Sequence, residues 1–169
     1  MFNAITNKIL DVAASQVGVR EINGTNTGKE VNAYLASVGL APGQYWCAAF
    51  VYWCIEQTDY VVNPLKKTGG VLAMWKDVPV QFRNTSPKPG YLGIINLGKG
   101  MGHIFFVDKI ISADTIQTIE GNTNNNGSNN GIGVFKLSRN IHDKKIIGYI
   151  NLPAYIASTN NILDSQKKK

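Results

Sequence analysis

Gln44-Tyr45-Trp46-Cys47-Ala48-Ala49-Phe50-Val51-Tyr52-Trp53 joins a loop broken by Pro42 and Gly43 to an apolar run of helical character. A thiol in the first turn of such a helix faces unpaired backbone N–H groups and the positive end of the helix dipole. Both favour thiolate over thiol, and the thiolate is the nucleophilic form. Cys47 is therefore a candidate nucleophile by position alone. Downstream lie His103, in Gly102-His103-Ile104-Phe105-Phe106-Val107, and Glu120, in Thr118-Ile119-Glu120-Gly121-Asn122. A cysteine followed by a histidine and then an acid or amide is the set a cysteine hydrolase needs.

On the N-terminal side, Ile5, Ile9, Val12 and Ala13 repeat at helical spacing and predict a helix over 3–17, ended by Gly18. Val31, Tyr34, Leu35 and Val38 predict a second, closed by Gly39; the Cys47 helix runs to about Gln57, and Val71, Leu72 and Trp75 mark a short fourth. After Pro87-Lys88-Pro89-Gly90 the character changes. The segments 91–96, 103–111, 115–121, 133–137 and 146–151 are β-branched or apolar, separated by glycine, asparagine and serine clusters. Helices first and strands afterwards predict an α+β fold, N-terminal helices packed on an antiparallel sheet. One domain is expected over 1–153, with 154–169 as a flexible C-terminal tail. Asn122 to Gly131, rich in asparagine and glycine, is expected as a mobile loop.

The 169 residues, 44% hydrophobic and 17% charged, describe one ordinary globular domain. No apolar run reaches the roughly 18 residues that span a bilayer, so no membrane insertion is expected. Met1 to Lys8 carries no basic region leading into an apolar core, so no Sec signal is read. A net charge of +6 suits an anionic partner such as a cell wall. No basic stripe interleaved with aromatics is present, which argues against nucleic acid. On one helix Cys47 and Cys54 would lie roughly 10 Å apart. That exceeds the about 7 Å a disulfide tolerates, and Cys54 reads as a small buried hydrophobe. Two cysteines and two histidines without close paired spacing do not make a zinc site.

Strand alternation places His103 with Phe105 and Val107 on one face and Ile104 with Phe106 on the other. Glu120, ending a strand, is suited to accept the imidazole Nδ1–H and hold the ring, and Asn122 is an alternative or assistant in that part. His142, in the polar stretch Arg139-Asn140-Ile141-His142-Asp143-Lys144-Lys145, reads as ordinary surface.

The segments Val17-Gly18-Val19-Arg20-Glu21-Ile22-Asn23-Gly24, Trp46-Cys47-Ala48-Ala49-Phe50-Val51, Pro87-Lys88-Pro89-Gly90, Gly102-His103-Ile104 and Ile119-Glu120-Gly121-Asn122 resemble the CHAP family. These cysteine, histidine-dependent amidohydrolases/peptidases belong to the papain-like NlpC/P60 superfamily. The resemblance covers roughly residues 8–152. It implies a peptidoglycan hydrolase that cuts an amide within the stem peptide or cross-link, or between glycan and peptide. Cys47 would be the nucleophile, His103 the base and Glu120 the orienting third member, with Asn122 nearby. Gly90-Tyr91-Leu92 departs from the family's frequent Gly-Asp-Ile, and Phe105-Phe106 stands where smaller residues are common. Some relatives bind calcium through an aspartate-rich loop. The Asn122–Asn130 stretch lacks carboxylates, so neither metal nor cofactor is expected.

The Cys47 N–H is the natural first oxyanion donor; a second is sought in the Gln44–Trp46 loop, Gln44 included. Trp46, Trp75, Tyr45 and the rim Gly98–Gly102, with Gly102 beside the histidine, are expected to line a peptide groove, and Trp53 to sit in the core. The expected partner is bacterial peptidoglycan, reached from the cytoplasm through phage lysis, a virion or dedicated secretion. Virion or secretion-apparatus partners, and a phage lysin, a virion-associated lysin or a secreted antibacterial effector, stay open. The alternatives are a non-catalytic virion or wall-binding module of the same fold, and a cysteine amidase acting on another amide.

Overall fold

The computed structural model describes residues 2–58, 62–124 and 131–167. In chain order the elements are α1 (Phe2–Ser15), α2 (Lys29–Ser37), α3 (Cys47–Glu56), α4 (Val71–Asp77), β1 (Arg83–Asn84), β2 (Leu92–Gly98), β3 (Met101–Ile110), β4 (Thr115–Thr123), β5 (Gly133–Asn140), β6 (Ile146–Ile150) and α5 (Leu152–Lys167). The strands form one sheet in the order β1-β6-β2-β3-β4-β5, every neighbouring pair antiparallel. The fold is α+β.

Alternation along the central strands builds two separate apolar layers. Leu92, Ile94, Ile104, Phe106, Ile119 and Val134 join Ile9, Ala13, Val31, Leu35 and nearly all of α3 in the main core. Ile95, Phe105, Val107, Ile116 and Tyr149 form a second, smaller cluster. Helix α3 is apolar on every side, and Cys47 to Tyr52 are all buried. A helix of that kind belongs inside a protein rather than on its surface.

An aromatic relay fixes α3 between its neighbours. The Tyr34 ring meets Phe50 edge-on at 5.3 Å, and Phe50 meets Phe106 of β3 edge-on at 6.1 Å. Each such contact adds about 1 kcal/mol beyond the area it buries. The relay runs from α2 through α3 into β3, and so ties the helix of Cys47 to the strand of His103.

Residues 154–169 were expected as a flexible tail, but the chain continues as α5 through Lys167. Asn151 caps that helix, accepting from the Ala154 N–H at 3.2 Å, and Leu152 and Ile156 are buried. The loop expected to begin at Asn122 begins later, because Asn122 and Thr123 are buried residues of β4; residues 125–130 lie outside the described residues. Strand β5 extends to Asn140, three residues past the expected 137, which brings Arg139 into the sheet.

Candidate active site

The turn at Pro42-Gly43 delivers the chain to α3. Gly43 has φ 94, a left-handed conformation that suits glycine, and its N–H bonds the Asn26 carbonyl at 3.0 Å. Cys47 then opens α3 after Trp46, which supplies no side-chain cap. The first N–H groups of the helix consequently point outward beside the thiol. Cys47 is nearly closed off, 5% exposed, and both cysteines are free thiols.

His103 on β3 and Glu120 on β4 are wholly buried, and His103 Nε2 lies 2.8 Å from Glu120 Oε2. The sequence reading assigned Nδ1 to this contact; the structure uses Nε2. Among the described residues Nδ1 makes no hydrogen bond, so it is the ring nitrogen left open. Burial penalises the charged imidazole. Interaction with Cys47, and then with Glu120, outweighs that penalty and pushes its pKa up to about 9. The histidine is therefore a cation at neutral pH, with one proton directed at the Glu120 carboxylate.

Glu120 receives four donors. Arg139 Nε bonds Oε1 at 2.5 Å and Nη2 bonds Oε2 at 2.6 Å; Thr118 Oγ1 also donates to Oε1, and His103 completes the set. Burial alone would raise the carboxyl pKa. The hydrogen bonds from Arg139 and His103 overcome it and hold the group at about 2. Arg139 and Thr118 were not singled out from the sequence. Arg139 sat beyond the expected end of its strand, among residues read as surface, where its spacing from Phe135 and Leu137 was the available signal.

Asn122 does not reach the imidazole. With its amide oriented to satisfy both neighbours, Oδ1 accepts from the Trp46 N–H at 3.1 Å and Nδ2 donates to the Gly131 carbonyl at 3.0 Å. Asn122 thus ties the end of β4 to the residue before Cys47, at a left-handed φ of 55 that asparagine tolerates. Because that amide N–H is occupied, Trp46 is not a free second oxyanion donor. Glu21 holds the same residue from the other side. Its Oε1 accepts from Trp46 Nε1 at 2.7 Å, and its Oε2 from the Asn26 N–H at 2.9 Å.

A groove of about 180 Å³ opens beside the cysteine, lined by Tyr45, Cys47 and two glycine-bearing walls, Gly69-Gly70-Val71 and Leu97 with Gly100-Met101-Gly102. Tyr45 and, of the expected Gly98–Gly102 rim, Gly100, Met101 and Gly102 are on it, but two expected residues are not. Trp46 is fully buried against Tyr34, and Trp75 stacks beneath the Arg83 guanidinium at 4.9 Å, away from the groove. Gln44 is exposed and makes no hydrogen bond among the described residues. Trp53 packs on Tyr34 at 4.9 Å, and His142 pairs with Asp114 at the surface. Cys54 is fully buried, and that burial pushes its thiol pKa well above the ordinary value. Among the described residues no three His, Cys, Asp or Glu side chains gather as a metal site, and no helix is long and apolar enough to cross a membrane.

No curated protein matches this chain. Among solved structures, the one titled "The crystal structure of Ly7917" superposes with a TM-score of 0.55 at 17% identity, covering 88% of this chain. The chain spans 62% of that structure's length, and at this identity the likeness speaks for the fold. The family model described as the CHAP domain matches residues 40–122. CHAP domains are typically amidase or peptidase hydrolases associated with peptidoglycan. That segment carries Cys47, His103, Glu120 and Asn122, and the match is consistent with a CHAP-domain family member.

Proposed function

We propose that this protein hydrolyses an amide bond of peptidoglycan through a Cys47–His103–Glu120 thiol mechanism. The observation that carries the reading is the buried His103–Glu120 pair at 2.8 Å, whose imidazole keeps one ring nitrogen for a cysteine at a helix start. Cys47 and His103 rest as a thiolate–imidazolium pair that Glu120 steadies through Nε2. The thiolate attacks the amide carbonyl beside Gly70 and Gly102. The oxyanion that forms is met by the Cys47 N–H, a donor worth roughly 3 kcal/mol of barrier. His103 returns a proton to the leaving amine, and the acyl group stays on sulfur as a thioester. Water, deprotonated by the now neutral His103, attacks the thioester, the acid leaves, and the thiolate–imidazolium pair is regenerated.

A groove of this size, walled by glycines and without a charged lining residue, admits an extended peptide with small side chains. The net charge of +6 favours the anionic polymers of a wall. Within this proposal the protein serves as a phage or virion-associated lysin, cutting either the muramoyl-alanine amide or a stem-peptide or cross-link amide.

Wild-type and Cys47→Ala proteins incubated with isolated sacculi test the reading by mass spectrometry of the soluble products. Wild type should release fragments whose masses name the bond, and Cys47→Ala should lose at least about 10³-fold in rate while staying folded. Equal release by both proteins would refute the thiol mechanism. Absence of release from sacculi of several wall types would refute peptidoglycan as the substrate.

A further inference from the structure

The Cys–His–Glu series does not end at Glu120. Arg139 of β5 approaches the carboxylate with Nε and Nη2 on separate oxygens, at 2.5 and 2.6 Å, and its side chain is only 13% exposed. A two-pronged guanidinium fixes the plane of a carboxylate as well as its charge, which an ammonium does not do. The Arg139 guanidinium also stands 5.3 Å over the ring of Phe105, two residues along β3 from His103. The arginine is thus held by an aromatic face while it holds the acid.

We propose that Arg139 is a positioning residue of the site, whose grip keeps Glu120 ionised and aimed at His103 Nε2, so that Nδ1 is left for Cys47. The proposal rests on the thiol reading above. Among the described residues the charged groups against Glu120 are His103 of β3 and Arg139 of β5, and Cys47 of α3 acts on the far partner, His103. Thr118 of β4 adds a neutral donor. With thiolate, imidazolium, carboxylate and guanidinium all charged, the set is neutral; without Arg139 it carries a buried negative charge. Glu120 would then draw a proton at higher pH, and His103, no longer facing a second cation, would hold its own more tightly.

The chain has two histidines, so both rings can be followed by NMR in the whole protein without substrate, His142 serving as the surface control. In Arg139→Met the His103 titration should move upward by about one pH unit while His142 stays in place. The alkaline limb of the rate profile should follow it. Arg139→Lys keeps the charge but has only one point of attachment. It should titrate close to wild type yet lose about tenfold in kcat at unchanged KM.

An unmoved or lowered His103 titration in Arg139→Met overturns the proposal, as does a wild-type kcat in Arg139→Lys. If Arg139→Met does not fold, Arg139→Lys decides alone. Failure of the hydrolase reading would show differently, as wild-type protein inert on sacculi, whereas the histidine titration tests Arg139 whether or not sacculi are cut.

Discussion

Burying an imidazole beside a carboxylate costs both groups their water, and the pair persists because every lone pair of Glu120 meets a donor. The two shifts act on stability in opposite directions. Glu120 is depressed from 4.5 to about 2, so its contribution is complete above about 4.5 and is lost as pH falls toward 2. His103 is raised from 6.5 to about 9, so its contribution is complete below 6.5 and disappears as pH rises through 9. Stability should therefore peak between about pH 4.5 and 6.5. Each arm corresponds to about 3 kcal/mol, with the His103–Glu120 attraction common to both. Urea midpoints measured at acid, mildly acid and alkaline pH should trace that dome in wild type. In Glu120→Gln they should be lower throughout and flatter on both sides. A wild-type midpoint that does not vary with pH would show that the pair contributes nothing to folding.

At the scale of the element, the contact between α3 and β4 sets where the thiol stands. Gly121 lies between Glu120 and Asn122, and a Cβ there would come within 2.7 Å of the Phe50 ring. Gly121→Ala must push α3 off the sheet or force Phe50 from its rotamer, a cost of about 1–3 kcal/mol in a packed core. The expected result is a lower urea midpoint and a fall in kcat, since the Cys47 helix moves with Phe50. Full activity and an unchanged midpoint would show that the interface yields without cost. Most elements could be read beforehand because their signals are local. Ile5, Ile9 and Val12 repeat every three or four residues, and Ile104 to Val107 alternate in a strand. What escaped is non-local. Strand β1 has two residues, too few for any period, and exists through pairing of Arg83 with Ile150 and Asn84 with Tyr149. Arg139 belongs to the site only through the register that sets Phe135 opposite Glu120. The ring nitrogen facing Glu120 depends on how β3 and β4 are spaced and twisted, which no single stretch of sequence carries.

At the scale of the whole molecule, the three proposed catalytic side chains come from α3, β3 and β4, so their alignment is a property of the packed domain. Helix α5 belongs to that packing although its sequence hides it. Ser158, Thr159, Asn160 and Asn161 are indifferent helix formers, and they split the apolar signal into two short groups, Leu152, Tyr155 and Ile156, then Ile162 and Leu163. The first group anchors the helix. Leu152 and Ile156 are buried in the main core, and Tyr155 stacks on Phe82 with ring centres 4.7 Å apart. The Asn151 N–H also bonds the Phe82 carbonyl at 2.7 Å, locking the helix start to the segment before β1. Two buried aliphatic side chains and one stacked pair are together worth about 5 kcal/mol. Domains of this kind have only about 5–15 kcal/mol in total. Ending the chain after Asn151 should therefore remove most of the cooperative unfolding transition, and with it hydrolysis of sacculi. Ile156→Ala, a milder change, should cost about 2–5 kcal/mol and lower the urea midpoint while leaving kcat near wild type at low denaturant. A truncated chain that unfolds at the wild-type midpoint would make α5 an appendage after all, and would leave Leu152 and Ile156 buried to no energetic purpose.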